Sequence, residues 1–203
     1  MIRQTSQRMR GRPREFDTDA AIESAMNVFW SSGYYATSLP DLLEATNLSR
    51  GSLYAAFGDK RGLFLRALDR YITESLTRLD ADLDPQKDAL AGVRACLARY
   101  VERTSGLAGK RGCLVVATAM ELAGHDTEVE QRIRRFFKAM ETRLTAALAR
   151  AKSEGRLADG VEPAAAARLL LCLLEGMRVV SKTSSDRSAS QAVVQTLIDR
   201  FAK

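Results

Sequence analysis

The chain has 203 residues, 46% of them hydrophobic, and 31 Lys and Arg against 25 Asp and Glu give a formal net charge of +6. These values describe one globular protein or two small domains. The longest apolar run, residues 169–174, falls well short of the roughly 20 residues that span a bilayer. No apolar stretch follows the Arg-rich start, so we expect neither a secretory signal nor a membrane span. The expected location is the cytoplasm.

The positive charge is concentrated at the N-terminus. Five basic residues precede the first acidic residue, Glu15, and the rest of the chain is nearly neutral; they are Arg3, Arg8, Arg10, Arg12 and Arg14. We expect residues 1–14 to form a flexible basic arm in which Arg10, Arg12 and Arg14 follow a minor groove or phosphates. The alternative is a disordered tail that aids solubility.

Four helices are predicted in the first eighty residues. Apolar residues at three-and-four spacing, such as Ile22, Met26 and Phe29, indicate the first, which Gly33 ends. Ser, Thr and Asp are the residue types that begin helices. The predicted N-caps are, in order, Asp17 or Thr18, Thr37 or Ser38, Ser49, and Asp59.

Residues 38–57 have the pattern of a helix-turn-helix. Two short helices flank a break at Thr46-Asn47, and apolar residues such as Leu42 and Leu53 are available to lock their crossing. Hydroxyls, an arginine and helix N-terminal amides suit phosphates and base edges. The outward residues of the second helix are Arg50, Gly51, Ser52, Tyr54 and Ala55. The alternative is a helical hairpin that only packs.

Longer helices are predicted beyond residue 84. Asp84 with Pro85 opens a helix to about Thr104, and Ser105, Gly106 and Gly109 end it. Residues 112–123 form a short helix, and a strongly periodic one runs from about Val129 to near Gly155. Pro163 begins a nearly all-apolar helix, and a last helix ends near Phe201. No convincing strand pattern occurs, so the predicted fold is all-α.

Between Phe16 and Tyr71 the chain resembles the N-terminal domain of the TetR family of transcriptional regulators. The residues that carry the resemblance are Ile22, Ala25, Phe29, Gly33-Tyr34, Thr37, Ser38, Leu48-Ser49, Gly51-Ser52-Leu53-Tyr54, Phe57, Lys60 and Leu63. The resemblance implies a three-helix DNA-binding head, residues 15–72. It also implies a larger helical C-terminal domain, residues 73–203, that dimerises and binds a small-molecule effector.

The resemblance also implies roles for single residues. Arg50, Gly51 and Ser52 contact bases or phosphates, and Tyr54 contacts the DNA backbone. Thr37 caps a helix and touches a phosphate, and Lys60 contacts a phosphate at the next helix start; we add the capping hydroxyls Ser38 and Ser49 to this set. Ala55 and Ala56 stand where many relatives have a bulky polar residue, so direct base readout is thinner here and leans on Arg50 or the arm.

Dimerisation is predicted at the last two helices. A helix with little polar face needs either a surrounding core or a partner subunit. A two-fold symmetric dimer places its two recognition helices about 34–36 Å apart, so the expected DNA site is a palindrome or near-palindrome. The alternative is a central helix of one subunit. The predicted interface residues are Leu170, Leu173, Leu174, Met177, Leu197 and Phe201.

The effector pocket is predicted on the helices between the head and the dimer interface. Its lining is mostly apolar with a hydroxyl and thiols, which suits a hydrophobic or aromatic ligand, although a plain helical core has the same composition. The predicted pocket residues are Cys96, Tyr100, Cys113, Val116, Met120, Phe137 and Met140.

Cys113 has a second interpretation. Lys110 and Arg111 precede it at a predicted helix start, which favours a reactive thiolate, and Arg111-Gly112-Cys113-Leu114 resembles the corresponding stretch of TetR-like repressors that sense electrophiles. The alternative is a buried, inert thiol. Glu121 and Glu175, which lie in apolar helices, pair with an arginine such as Arg168 or Arg178, or anchor a cationic ligand.

An enzyme is not predicted. His125 is the single histidine, lies at a helix break and has no Cys or His cluster near it in the sequence, so we expect no catalytic site, no metal and no cofactor. The predicted function is a homodimeric repressor that binds double-stranded DNA and is released by a hydrophobic or electrophilic effector. The alternative is a helical protein-interaction module without sequence-specific DNA binding.

Overall fold

The computed structural model describes residues 16–84 and 88–203. In this part of the chain ten α-helices form, and the β-structure is a single bridge between Leu157 and Ala202, so the all-α prediction is confirmed. The helices are α1 (Thr18–Ser32), α2 (Leu39–Thr46), α3 (Arg50–Phe57), α4 (Lys60–Asp82), α5 (Ala89–Arg103), α6 (Gly106–Arg111), α7 (Leu114–Leu122), α8 (Thr127–Ser153), α9 (Pro163–Val180) and α10 (Arg187–Phe201). The arm residues Arg10, Arg12 and Arg14 lie outside the described residues.

Local hydrogen bonds set the helix starts near the N-terminus. The Asp17 carboxylate accepts from two amides at the start of α1, and Ser38 forms a capping box with Asp41 at the start of α2. Ser49 and Asp59 cap α3 and α4. Each cap satisfies backbone donors that a helix leaves without partners, which is why these starts were predictable from short stretches of sequence.

We call residues 16–72 the head and residues 73–203 the body. In the head, α1 packs against α2 and α4, and Phe29 and Phe64 meet edge to face with ring centroids 5.0 Å apart. Leu42 of α2 and Leu53 of α3 are fully buried. This apolar core fixes the angle at which α2 and α3 cross.

The body is built around α8. Helix α8 packs against α9, and Leu144 and Leu148 of α8 and Leu170 and Leu174 of α9 are buried. Helix α5 lies against both α8 and α10, and α4 contacts α5 and α8. Helix α4 therefore connects the core of the head to the core of the body.

Three predicted boundaries differ from the structure. Helix α5 begins at Ala89 with Asp88 as its N-cap rather than at Asp84 and Pro85. Residues 106–111, predicted as the end of a helix, form the short helix α6. Helix α7 begins at Leu114 rather than Gly112, because Gly112 ends α6 with a φ of 72°.

Helix α9 is not fully buried within this chain. Leu169 and Val179 are each 52% exposed and Val180 is 61% exposed, so one side of this apolar helix faces away from the chain's own core. Among the described residues, no helix combines the length and apolar character needed to cross a membrane.

Candidate DNA-binding site and effector pocket

The N-terminal end of α3 projects polar groups from the head. Leu53 anchors α3 in the core, while Arg50 and Tyr54 on its other side are exposed. The Ser49 hydroxyl accepts from the Ser52 amide (3.0 Å) and lies 2.9 Å from the Ser52 hydroxyl. The structure thus brings together the predicted residues of α3, with a guanidinium, hydroxyls and free helix amides on one surface.

Gly51 is exposed in the middle of this surface. A Cβ at this position would meet only the Ser49 hydroxyl oxygen, at 3.9 Å, so the fold of the free protein does not require glycine here. Because glycine has no side chain, nothing projects from α3 at this position. Ala55 and Ala56 are exposed as well, and the resulting face is one that a flat partner can approach closely.

The residues before α2 have two different environments. Ser38 is exposed and is the N-cap of α2. Thr37 is buried, 1% exposed, and its hydroxyl donates to the Gly33 carbonyl at 2.6 Å. The prediction that Thr37 caps the helix is therefore wrong, and its side chain supports the loop from inside rather than facing a phosphate.

Lys60, at the start of α4, lies on the same side of the head. Its Nζ is 4.5 Å from the centroid of the Tyr34 ring, an electrostatic contact that holds the ammonium over the aromatic face. Burial raises the pKa of Tyr34, so its ring stays neutral beneath the cation. The predicted Lys60 is thus held in place by the loop between α1 and α2.

A buried polar cluster lies where α4, α5, α7 and α9 meet, and it joins Tyr71 of the head to residues of the body. Arg178 donates to the Tyr71 hydroxyl (3.1 Å) and to the Gly112 carbonyl (2.5 Å), and Tyr71 donates to the Cys113 sulfur (3.5 Å). The Tyr100 hydroxyl donates to Glu175 (3.4 Å). Glu175 Oε2 and Arg178 Nε are buried without a hydrogen-bond partner, so the cluster is incompletely satisfied.

The environment of Cys113 contradicts its predicted activation. The thiol is 6% exposed, and burial, followed by the nearby Glu175 carboxylate, raises its pKa. One of the two cations expected to activate it is directed elsewhere: the Arg111 guanidinium stacks on the Trp30 ring at 3.8 Å and donates to the Asn27 side chain. The cation that does act on the thiol is Arg178, which lowers the pKa by less than burial raises it. Cys113 is therefore protonated at neutral pH.

Glu121 also has partners that the sequence did not predict. Its carboxylate accepts from the amides of Tyr34 (2.8 Å) and Tyr35 (2.6 Å) in the head. Arg168, one of the arginines expected to pair with it or with Glu175, instead pairs with Glu141 at 2.9 Å. A second link from body to head joins Arg61 to Asp126.

The comparison with known proteins follows the same division of the chain. Residues 21–67 match the family model described as bacterial regulatory proteins, tetR family. Residues 89–197 match the one described as tetracyclin repressor-like, C-terminal domain. The chain belongs to the TetR family. It is therefore a DNA-binding transcriptional regulator and not an enzyme, and the interaction-module alternative is set aside.

Relatives of this TetR-family chain align with it over nearly all of its length. It is 29% identical over 199 residues to the HTH-type transcriptional repressor ComR of Escherichia coli (strain K12), covering 96% of this chain and 93% of ComR. It is 30% identical to the uncharacterised HTH-type transcriptional regulator YezE of Bacillus subtilis (strain 168), covering 89% and 94%. A cysteine mutant of the TetR family transcriptional regulator CifR, complexed with 26-base-pair double-strand operator DNA, has 32% identity and a TM-score of 0.82, covering 94% and 100%.

In the TetR-family body, the predicted pocket residues separate into three groups. Cys96, Tyr100 and Met140 line one small cavity of about 20 Å³, together with arginines of α4 and α5. Cys113 is buried nearby, and Val116 and Phe137 are half-buried. Met120 is 85% exposed, so its assignment to the pocket is wrong: α7 turns Val115 and Leu122 inward and Met120 outward.

The predicted dimer residues also separate. Leu170 and Leu174 are fully buried within this chain and Met177 is nearly so, which corrects their placement on an interface. Leu173, Leu197 and Phe201 are half-buried. The exposed apolar residues of α9 and α10 are others, among them Leu169, Val180 and Val193. Val180 and Val193 line a groove of about 350 Å³ between the two helices.

His125 is exposed in the turn before α8. Within residues 16–84 and 88–203, no three His, Cys, Asp or Glu side chains lie close enough together to hold a metal ion.

Proposed function

We propose that this regulator is a homodimeric repressor that binds a palindromic operator through α3 and leaves it when a small effector occupies the body. The observation that carries the proposal is the exposed N-terminal end of α3, with Arg50, Gly51 and Tyr54 in solvent and Leu53 in the core. An α-helix held in this way fits the major groove. The operator complex of CifR supports the same use of this chain's head.

Each exposed group has a distinct task in this proposal. Arg50 reads a base edge, because a guanidinium bonds guanine in a bidentate manner. Phosphates are contacted by the hydroxyls and the lysine around it, and these contacts set the position of the head on DNA. The phosphate-contacting residues are Ser38, Ser49, Ser52, Tyr54 and Lys60.

The basic arm adds contacts outside the major groove. Arg10, Arg12 and Arg14 contact phosphates or a narrow minor groove, where negative potential is strongest. Counterions released from DNA make such binding sensitive to salt. We expect removal of residues 1–14 to weaken operator binding and to flatten the dependence of affinity on salt; an unchanged slope in a titration would remove this role.

Dimerisation through α9 and α10 is supported by their exposed apolar residues. Monomeric proteins seldom leave a contiguous apolar patch of this kind in water. Leu169, Val180 and Val193, with the half-buried Leu173 and Leu197, form the proposed interface. A two-fold axis at this surface gives the protein the symmetry of a palindromic operator. Val180→Asp is expected to give monomers in analytical ultracentrifugation and to weaken operator binding.

The effector site is proposed at the small cavity and the neighbouring polar cluster. A cavity of about 20 Å³ holds about one water molecule, so a larger ligand has to separate α4, α5 and α8. Since α4 also belongs to the head, such a movement changes the spacing of the two heads. The effector then lowers operator affinity because it prefers the separated arrangement.

The principal test is selection of a duplex from random DNA, followed by fluorescence anisotropy. The wild-type protein is expected to select a palindrome, and Arg50→Ala to lose affinity for it while Tyr54→Phe retains partial binding. The proposal fails if no sequence is enriched at low salt, or if both variants bind as the wild type does. Repression is tested by placing the selected duplex upstream of a reporter gene.

The electrophile-sensing alternative is tested separately with N-ethylmaleimide. Release of the wild type from DNA is compared with that of Cys113→Ser, and equal responses reject sensing by Cys113. Because burial raises the pKa of the thiol and only the thiolate reacts quickly, modification of Cys113 is expected to accelerate as the pH rises above neutrality. A rate independent of pH would contradict the buried thiol.

A further inference from the structure

Glu121 joins the body to the loop that leads into the helix-turn-helix. It lies in the last turn of α7, and its two carboxylate oxygens accept from consecutive amides of the head, Tyr34 at 2.8 Å and Tyr35 at 2.6 Å. Hydrogen bonds to a charged acceptor are stronger than neutral ones. One side chain of the body therefore holds two peptide units between α1 and α2.

The approach of this carboxylate to the loop is close. Gly33, which precedes the two amides, has a φ of 81°, and a Cβ added to it would lie 2.9 Å from Glu121 Oε2. A side chain at this position would therefore be strained and would also displace the carboxylate. The glycine leaves the space that Glu121 occupies.

The loop passes this constraint on to the DNA-facing residues. The Gly33 carbonyl accepts from the Thr37 hydroxyl at 2.6 Å, and the next residue, Ser38, is the N-cap of α2. The Tyr34 ring supports Lys60 from the same loop. Fixing the peptides of residues 34 and 35 thus fixes the start of α2 and the Lys60 ammonium together.

We propose that Glu121 is a positioning residue for DNA binding: its carboxylate holds the loop between α1 and α2 so that Ser38 and Lys60 face the phosphates. This inference rests on the proposed use of the head. Electrostatics alone predicts the opposite effect of removing Glu121, since the loss of a negative charge beside the DNA surface strengthens binding to phosphates. The sign of the change therefore separates positioning from charge.

The test compares Glu121→Ala and Glu121→Gln with Glu130→Ala. Glu130 pairs with Arg134 of its own helix, so its loss removes the same charge from the body without touching the loop. With the selected duplex, Glu121→Ala is expected to bind about tenfold more weakly, as the loss of hydrogen bonds to a charged group implies. Glu121→Gln, which retains one carbonyl acceptor, is expected to lie between, and Glu130→Ala to bind as tightly as the wild type or slightly more tightly.

Amide hydrogen exchange supplies the readout that a general loss of stability would not give. Glu121→Ala is expected to accelerate exchange at Tyr34 and Tyr35 while the amides of buried α8 residues keep the wild-type rate. If the variant does not fold, Glu121→Gln is measured in the same two assays. Unchanged or tighter DNA binding by the variants would overturn the proposal, as would unchanged exchange at the two amides.

Failure of the operator proposal gives a different result. In that case the wild type enriches no sequence, and the same variants are compared on a non-specific duplex at low salt. A loss of affinity there, with faster exchange at Tyr34 and Tyr35, still supports positioning of the phosphate contacts. Equal affinity on that duplex rejects it.

Discussion

The head and the body place their charged groups in opposite positions. Of the described residues, the buried charged side chains are Asp82 and Arg178, and both belong to the body. In the head, the buried side chains are apolar except for Thr37 and the hydroxyl of Tyr71, and Arg50 and Lys60 lie at the surface or near it. The head thus has an apolar core and polar edges, while the body encloses part of its charge.

This difference bears on what each region can do. The polar groups that the head offers to DNA, such as Arg50 and Ser38, are already exposed to water, so they meet DNA at little cost in reorganisation. Those of the body are desolvated and incompletely paired, as Glu175 Oε2 and Arg178 Nε show. A ligand that supplies the missing hydrogen bonds stabilises a rearranged body, which is the property that a sensor domain requires.

The largest effect that tests this comparison is expected from Arg178→Ala. Arg178 is 3% exposed and lies near Glu175, so its removal leaves a buried carboxylate without its main compensating cation. Loss of one member of a buried charged group destabilises by about 3–5 kcal/mol. Denaturant unfolding at fixed protein concentration measures this loss.

The matched control for that experiment is Arg187→Ala. Arg187 pairs with Glu102, and both side chains are more than half exposed, 55% and 56%. Exposed pairs contribute about 0–1 kcal/mol. Equal losses of unfolding free energy for the two variants would show that the buried Arg178 contributes no more to stability than an exposed arginine does.

In the head, Arg50→Ala is expected to affect DNA binding and not stability. The side chain is exposed, so the free energy of unfolding stays as in the wild type, while operator affinity falls by about 1–3 kcal/mol if Arg50 reads a base. Anisotropy titrations at one salt concentration give the affinity. Arg156→Ala, which removes an exposed arginine just beyond the end of α8, serves as the control, and an equal loss for it would exclude base readout by Arg50.

A smaller loss is expected from Ser38→Ala. This change removes the hydroxyl that accepts from the Asp41 amide, while the Ser38 backbone amide is still able to donate to the Asp41 carboxylate, and loss of an N-cap side chain destabilises by about 1 kcal/mol. Thermal unfolding is the measurement, with the exposed Ser31→Ala in the last turn of α1 as the control. If both variants melt together, the capping box does not contribute to the stability of the head.

The smallest expected effect is a change in pH dependence with Glu175→Gln. Burial raises the pKa of Glu175 above that of an ordinary carboxyl group. The folded state therefore binds a proton on the Glu175 carboxylate more tightly than the unfolded state does. Stability conferred by the proton is therefore present at low pH and is lost as the pH rises through the raised pKa. Because glutamine does not titrate, Glu175→Gln is expected to remove the contribution of this residue to the pH dependence of the unfolding free energy. An identical pH dependence in the wild type and the variant would contradict the raised pKa of Glu175.

The predictable parts of the fold and the site are those that depend on neighbours in sequence. Asp17, Ser38, Ser49 and Asp59 begin their helices through amides two or three residues away, and the outward face of α3 follows from the burial of Leu53. Where two local patterns compete the prediction fails, as at Asp84, because Asp88 offers an equally good N-cap four residues later.

Contacts between distant segments were not predictable. Glu121 meets amides 86 and 87 residues away, and Arg178 meets Tyr71 across 107 residues; no spacing in the chain indicates either partner. The exposure of Met120 was not predictable for a related reason. Helix α7 is apolar on nearly every side, so its inward face is decided by how α7 packs against α4 and α8 rather than by its own pattern.

The contact between Arg111 and Trp30 provides a natural optical probe. Trp30 is the single tryptophan of the chain; its ring lies under the Arg111 guanidinium of the body and against the edge of Tyr71, 4.8 Å away. Its emission therefore reports on the junction of head and body without any attached dye. A movement that separates the two regions changes the surroundings of this one fluorophore, so the motion is followed in real time in the unmodified protein.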